Sequence, residues 1–155
     1  MPNMYKSVGY ETYQEIDNNL SFKSEGLIPP ANAIARGKMP YEFANGLEGK
    51  ELARLQASPL DSLQSEDNMK VGKELYGIYC GICHGNKGNG MGTLVKREKI
   101  LGVPSYDARD ITVGSTYHTI YYGLNSMGSY ANQLNTEERW QVAEYVMKLK
   151  QDLTK

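Results

Sequence analysis

Regular hydrophobic spacing appears only in the second half of the chain. Val71, Leu75, Ile78 and Tyr79 recur at helical intervals and predict a helix that starts near Ser65 and runs straight into Cys80. Ser65 is the expected N-cap, with Glu66 and Asp67 in the first turn, where carboxylates meet the positive end of the helix dipole. Gly72 falls on the same face, one turn before Leu75 and Tyr76, and lets another helix come close. A shorter helix is expected over residues 115–122, capped by Ser115 and ended by Gly123. The clearest helix is the last. Asn135 or Thr136 caps it, Glu137 and Glu138 open it, and Lys148 and Lys150 lie near its end. Val142, Tyr145, Val146, Leu149 and Leu153 form its apolar stripe. No alternating strand pattern and no internal repeat occurs, so the fold class is mostly α.

Residues 1–68 read differently. They hold five of the six prolines, at positions 2, 29, 30, 40 and 59, and several interrupting glycines. Gly26 to Asn32 reads as extended chain, because a residue before proline is pushed out of the α region. One short helix is plausible near Glu48–Ala57, stopped by Ser58-Pro59. Met4, Tyr5, Tyr10, Tyr13, Ile16 and Tyr41 make the stretch more aromatic than an ordinary linker. The expected organisation is an ordered arm over 1–68 that packs on partner subunits, followed by a helical domain over 69–155.

The 155 residues suit one domain with an extension. With 17 basic and 18 acidic residues, net charge -1, the chain offers no electrostatic footprint for nucleic acid. No apolar run approaches the ~20 residues of a membrane helix. Charge is uneven: residues 1–68 carry 6 basic and 10 acidic side chains, and residues 69–155 carry 11 and 8. Solvated faces account for such counts as readily as docking does. The 12 tyrosines, against 2 Phe and 1 Trp, suit half-buried surfaces and cofactor edges.

The two cysteines are too few and too close for a disulfide scaffold. Cys80-Gly81-Ile82-Cys83-His84 is instead a C-x-x-C-H sequence, the attachment signature of a c-type haem. Two thiols about one helical turn apart can each add to one porphyrin vinyl group. His84 is then carried under the ring as proximal iron ligand, and Gly81 leaves room for the haem edge. Three other readings exist. A zinc site would need Cys80, Cys83, His84 and His118, but adjacent ligands close a tetrahedron badly. A thioredoxin-like pair wants a strand before the motif, whereas a helix precedes this one. Two buried free cysteines beside a histidine is the plainest alternative.

A second axial ligand separates electron transfer from catalysis. Met127 lies 43 residues after His84, in a loop bounded by Gly123 and Gly128, and thioether sulfur suits this role. His118 competes, since imidazole also binds iron; its alternative fate is a helix residue facing solvent or satisfied locally. The Pro104 carbonyl could accept the remaining N–H of His84 and fix its orientation, or Pro104 is an ordinary loop proline.

Residues 69–155 resemble a small class I-type monohaem cytochrome c. The resemblance is carried by Gly72…Leu75-Tyr76, Cys80–Gly85, the glycines at 88, 90 and 92, Pro104, Gly123…Met127…Tyr130, and Trp140…Tyr145. It implies that the first and last helices cross near Gly72 and Tyr145, around one covalent haem c. Met1-Pro2-Asn3-Met4-Tyr5 with Gly9-Tyr10-Glu11 is similar to the monohaem cytochrome c subunit of bacterial alternative complex III. So are Leu94–Lys99 and Leu124–Ser129. That family implies an electron-carrier subunit, itself not an enzyme, of a membrane-bound quinol-oxidising assembly on the periplasmic face of the bacterial inner membrane. Its expected partners are a multihaem cytochrome and iron–sulfur components, with a terminal oxidase or another cytochrome as acceptor. Family members usually begin with a lipid-modified cysteine. Both cysteines here are committed to haem, so the displayed chain is expected to be a mature or trimmed product, with the lipid anchor upstream. A free periplasmic cytochrome c, and a haem enzyme or sensor with an open sixth site, are the rival functions.

Overall fold

The computed structural model describes Tyr5, Gly9, residues 29–36 and residues 40–155. The chain divides into two units, Met1–Pro40 and Tyr41–Lys155. In the first, Ala33 N–H donates to the Pro30 carbonyl at 3.0 Å and Asn32 has φ 67°, which makes a turn where extended chain is expected. The proline rule restrains only the residues before Pro29 and Pro30, and leaves Ala31 and Asn32 free to turn. Residues 26–28 of that stretch, Met1 to Met4, Tyr10, Tyr13 and Ile16 lie outside the described residues.

The second unit is helical: α1 Leu47–Ala53, a 3₁₀ turn Ser62–Gln64, α2 Ser65–Tyr79, α3 Gly81–His84, α4 Thr93–Lys96, α5 Val113–Tyr122 and α6 Thr136–Leu153. Among the described residues there is no strand beyond one isolated bridge, Leu124 with Met127. Helix ends differ from expectation in instructive ways. Ser65 is the first residue of α2, not its cap; Asp61 caps the preceding 3₁₀ turn, accepting from Leu63 N–H at 2.9 Å. Thr112, not Ser115, caps α5, and Ser115 answers from the third helical position to close a capping box. Asn135 caps α6 as expected, in a box with Glu138. α1 stops at Ala53, short of the expected Ala57.

The core is the crossing of α2 over α6, backed by α5. A Cβ at Gly72 would sit inside the Gln141 backbone and 3.2 Å from the Tyr145 Cβ, so only glycine lets the two helices come this close. The buried amide of Gln141 donates to Asn68 Oδ1 across the same contact at 2.9 Å. This close approach centres the buried stripe of α2 on Asn68, Gly72 and Tyr76. Val71 and Ile78, expected on that stripe, are therefore exposed, while Leu75 and Tyr79 are half-buried. α6 buries Val142, Tyr145, Val146 and Leu149 as its spacing predicts, leaves Leu153 half-buried, and buries Trp140 as well. Each such side chain contributes roughly 1.5–3 kcal/mol by leaving water. The Trp140 indole stacks on Tyr117 of α5 with centroids 4.1 Å apart.

Residues 41–60, read from sequence as part of the arm, belong to the compact unit that contains the helices. Tyr41 inserts its ring among Tyr117, His118, Tyr121 and Tyr122. Tyr122 donates to the Phe43 carbonyl at 2.8 Å, and Thr112 donates to the Arg54 carbonyl at 3.0 Å. This segment covers the outer face of α5.

Candidate functional site

α2 ends at Tyr79 and α3 begins at Gly81, so Cys80 stands at the joint between the two and the C-x-x-C-H motif occupies the joint and the short helix after it. Cys80 N–H donates to Tyr76 O at 2.9 Å, Cys83 N–H to Cys80 O at 3.1 Å, and His84 N–H to Cys80 O at 2.9 Å. The Cys80 carbonyl thus closes the turn that carries Cys83 and His84, which sets the thiols one turn apart with His84 beside the second. Both cysteines are free; Cys80 is buried and Cys83 half-buried. Burial, and then the neighbouring Cys83, push the Cys80 thiol up to about 12, so it stays protonated.

The glycine loop folds back onto the motif. Gly90 N–H donates to His84 O at 2.9 Å and Gly92 N–H to Cys83 O at 3.0 Å. Gly90 adopts φ +73° with the Val103 and Pro104 backbone packed where a side chain would stand. Tyr76 donates to Gly85 O at 2.8 Å, and Tyr106 N–H donates to Gly88 O at 3.0 Å. These bonds build one wall, on which the His84 ring lies nearly parallel to Tyr106 with centroids 5.1 Å apart. Burial holds the imidazole below its ordinary pKa, in the neutral, ligand-competent form. The bond expected from His84 to the Pro104 carbonyl is not formed. His84 Nδ1 is buried without a partner, and the Pro104 backbone packs on Gly90 instead.

Met127 sits on a tight turn at the end of α5. Leu124 and Met127 exchange both backbone bonds at 2.9 Å, and Asn125 takes φ 54° at the corner. The thioether side chain packs half-buried against the core. Tyr130, three residues on, joins this loop to the motif. Its N–H donates to Ile120 O at 2.9 Å, its ring meets Tyr79 edge-on at 6.2 Å, and its hydroxyl reaches Tyr79 O at 3.4 Å. Burial, then Cys80 and Cys83, raise the Tyr130 hydroxyl pKa.

His118 is neither solvent-facing nor satisfied locally, as its alternative fate required. It is buried in α5 against Tyr41 and Tyr122, and its Nδ1 has no partner. Among the described residues no three His, Cys, Asp or Glu side chains gather as a metal-binding group, so the zinc set with His118 is not assembled. The motif, its buried and half-buried thiols and the unpartnered Nδ1 of the buried His84 fit a covalently tethered planar ligand. Two contributors escaped the sequence reading. Tyr106 carried a weak signal, an aromatic two residues after Pro104. Arg139 carried a clearer one: it occupies an apolar-stripe position of α6, one turn before Val142 and Ala143, and is buried.

A family model described as cytochrome c oxidase, cbb3-type, subunit III matches residues 67–146, just over half of the chain. The matched span contains the C-x-x-C-H motif, Pro104, Met127 and most of α6. Among solved structures, the chain is similar to one from the reducing HAO-like protein complex of Kuenenia stuttgartiensis, with a TM-score of 0.50 and 25% sequence identity. That match covers 61% of this chain and 49% of the other, so it spans about half the length of its relative. No curated protein matches the chain in sequence.

Proposed function

Because the chain belongs to the family of cbb3-type cytochrome c oxidase subunit III, whose cytochrome c domain implies electron transfer through covalently bound haem c, we propose that it is a single-haem electron relay. Cys80 and Cys83 would hold the haem through thioether bonds, and His84 and Met127 would bind its iron. The bound haem supplies a one-electron redox couple. The chain supplies the rest. The helical turn sets the spacing of the thiols, the Gly85–Gly92 loop and Tyr106 hold the imidazole plane, and the Leu124–Met127 turn presents the thioether. Two protein ligands leave no position for substrate, which is the requirement of a carrier rather than an enzyme. The observation that carries this reading is Tyr130, which ties the Met127 loop to Tyr79 at the end of α2, the residue before Cys80.

The subunit works within a membrane-bound quinol-oxidising complex of the alternative complex III type, on the periplasmic face of a bacterial inner membrane. It receives electrons from a multihaem cytochrome and passes them toward a terminal oxidase. Supporting this are the resemblance of residues 1–11, 94–99 and 124–129 to that subunit, and the likeness to a chain from a multi-protein complex. Removal of residues 1–40 tests it. The full chain should co-purify with large membrane subunits, and the shortened chain should keep its haem spectrum but leave the membrane fraction. A full chain recovered as a monodisperse monomer in membrane-free extract would favour a diffusing cytochrome c.

A further inference from the structure

Arg139 is only 6% exposed, and among the described residues no carboxylate pairs with it. A buried charge of this kind is tolerated only where other groups take up its hydrogen-bonding capacity. Here they come from two directions. Nη1 donates to the carbonyls of Ala131, at 3.2 Å, and Leu134, in the turn that follows Met127. Nε donates to the Tyr117 hydroxyl at 3.1 Å, and the guanidinium carbon lies 5.4 Å and 5.0 Å from the ring centres of Tyr117 and Tyr121 in α5, the helix that leads into Met127. The remaining donor, Nη2, reaches Thr136 Oγ1 at 3.1 Å. One planar fork on α6 therefore grips the chain on both sides of the Met127 loop. Between the grips, Tyr130 N–H to Ile120 O, at 2.9 Å, closes the base of the loop.

We propose that Arg139 is a positioning residue for Met127, a buried brace that fixes both ends of the loop and so holds the thioether on the iron. The inference rests on the reading of Met127 as ligand. Lysine cannot replace the fork, because a single ammonium cannot reach acceptors spread over such a plane. The salient consequence is local. Loosening the brace frees the loop and lets an added ligand compete with Met127, while the cysteine tethers and His84 are untouched.

The test uses the haem-loaded full chain with imidazole as the competing ligand. Arg139→Met should bind imidazole about tenfold or more tighter than the parent and lose intensity in the methionine-to-iron charge-transfer band, with Arg139→Lys in between. Tyr117→Phe removes only the Nε acceptor, and should shift imidazole affinity the same way by less; it carries the test if the Arg139 variants do not accumulate. Variants with a lowered unfolding midpoint but parental imidazole affinity and band would overturn the proposal, since a merely structural arginine predicts that pattern. Met127→Ala separates the two claims. It should abolish the band, and a band that survives it overturns the ligand reading itself, whatever the Arg139 variants do.

Discussion

Most hydrogen bonds that hold His84 span nine residues or fewer, Cys80 to His84, His84 to Gly90, Cys83 to Gly92 and Tyr76 to Gly85, with Tyr106 to Gly88 the longer tie in that wall. The loop of Met127 is tied down over longer separations, 10 residues from Ile120 to Tyr130, 22 from Tyr117 to Arg139 and 51 from Tyr79 to Tyr130. One side of the centre is thus mainly a local structure, completed by Tyr106. The other exists only when α2, α5 and α6 have come together. The His84 side should accordingly tolerate tertiary loosening, and the Met127 side should fail first.

The comparison can be broken most severely at the thiols. Replacing Cys80 and Cys83 together by alanine should abolish covalent haem, read as loss of haem staining on a denaturing gel; staining that persists removes the basis of the His84 side. Next in size is the helix crossing on which the Met127 side depends. Gly72→Val forces a branched side chain into the Gln141 backbone and should cost about 1–3 kcal/mol, measured by denaturant unfolding of the holoprotein. It should weaken the methionine–iron band while the cysteine tethers persist. An unchanged midpoint would mean that α2 and α6 do not cross there.

A smaller effect is expected from His118. Burial, then the Lys50 charge, hold its pKa below the ordinary value of about 6.5. Tyr41 and Tyr122 are the titratable groups against its ring. Below about pH 6.5 the unfolded chain takes up a proton that the folded chain refuses, so stability falls as pH drops through that value toward the depressed one. His118→Phe should flatten this slope, compared with the parent by thermal unfolding at several pH values; equal slopes would contradict the assignment. Smallest is the ion pair of Arg54 with the exposed Asp110, which joins residues 41–60 to the α5 entry. Asp110→Asn should shift stability by about 0–1 kcal/mol, because solvent screens such pairs and Arg54 keeps its bond to the Asp110 carbonyl.

The same division explains what the sequence could reveal. α6 was legible from end to end, because the Asn135–Glu138 box and the stripe from Val142 to Leu149 are local signals. The α2–α6 crossing was legible in Gly72, and the attachment motif in five consecutive residues. The exposed Ile78 and Val71 were misread, since periodicity alone does not say which of two adjacent stripes a close helix contact will select. Thr112 was missed as a cap because Ser115 offers an equally good side chain three residues on. Residues 41–60 were assigned to the arm because their anchor is Tyr41, whose partners lie 76 to 81 positions away in α5, a separation no local pattern records. Pro104 was open to two readings in the sequence, because whether its carbonyl meets His84 depends on how two loops pack, and His84 Nδ1 stands without a partner. Arg139 was visible as a charge on an apolar stripe, but its acceptors exist only once the 131–134 turn has formed.

Near-infrared magnetic circular dichroism of the oxidised full chain identifies both atoms bound to iron, and so bears on the central claim without intermediaries. The account predicts low-spin iron with one imidazole nitrogen and one thioether sulfur, the sulfur signature vanishing in Met127→Ala. A bis-nitrogen signature in the parent protein, or high-spin iron with a position open to water, would contradict it.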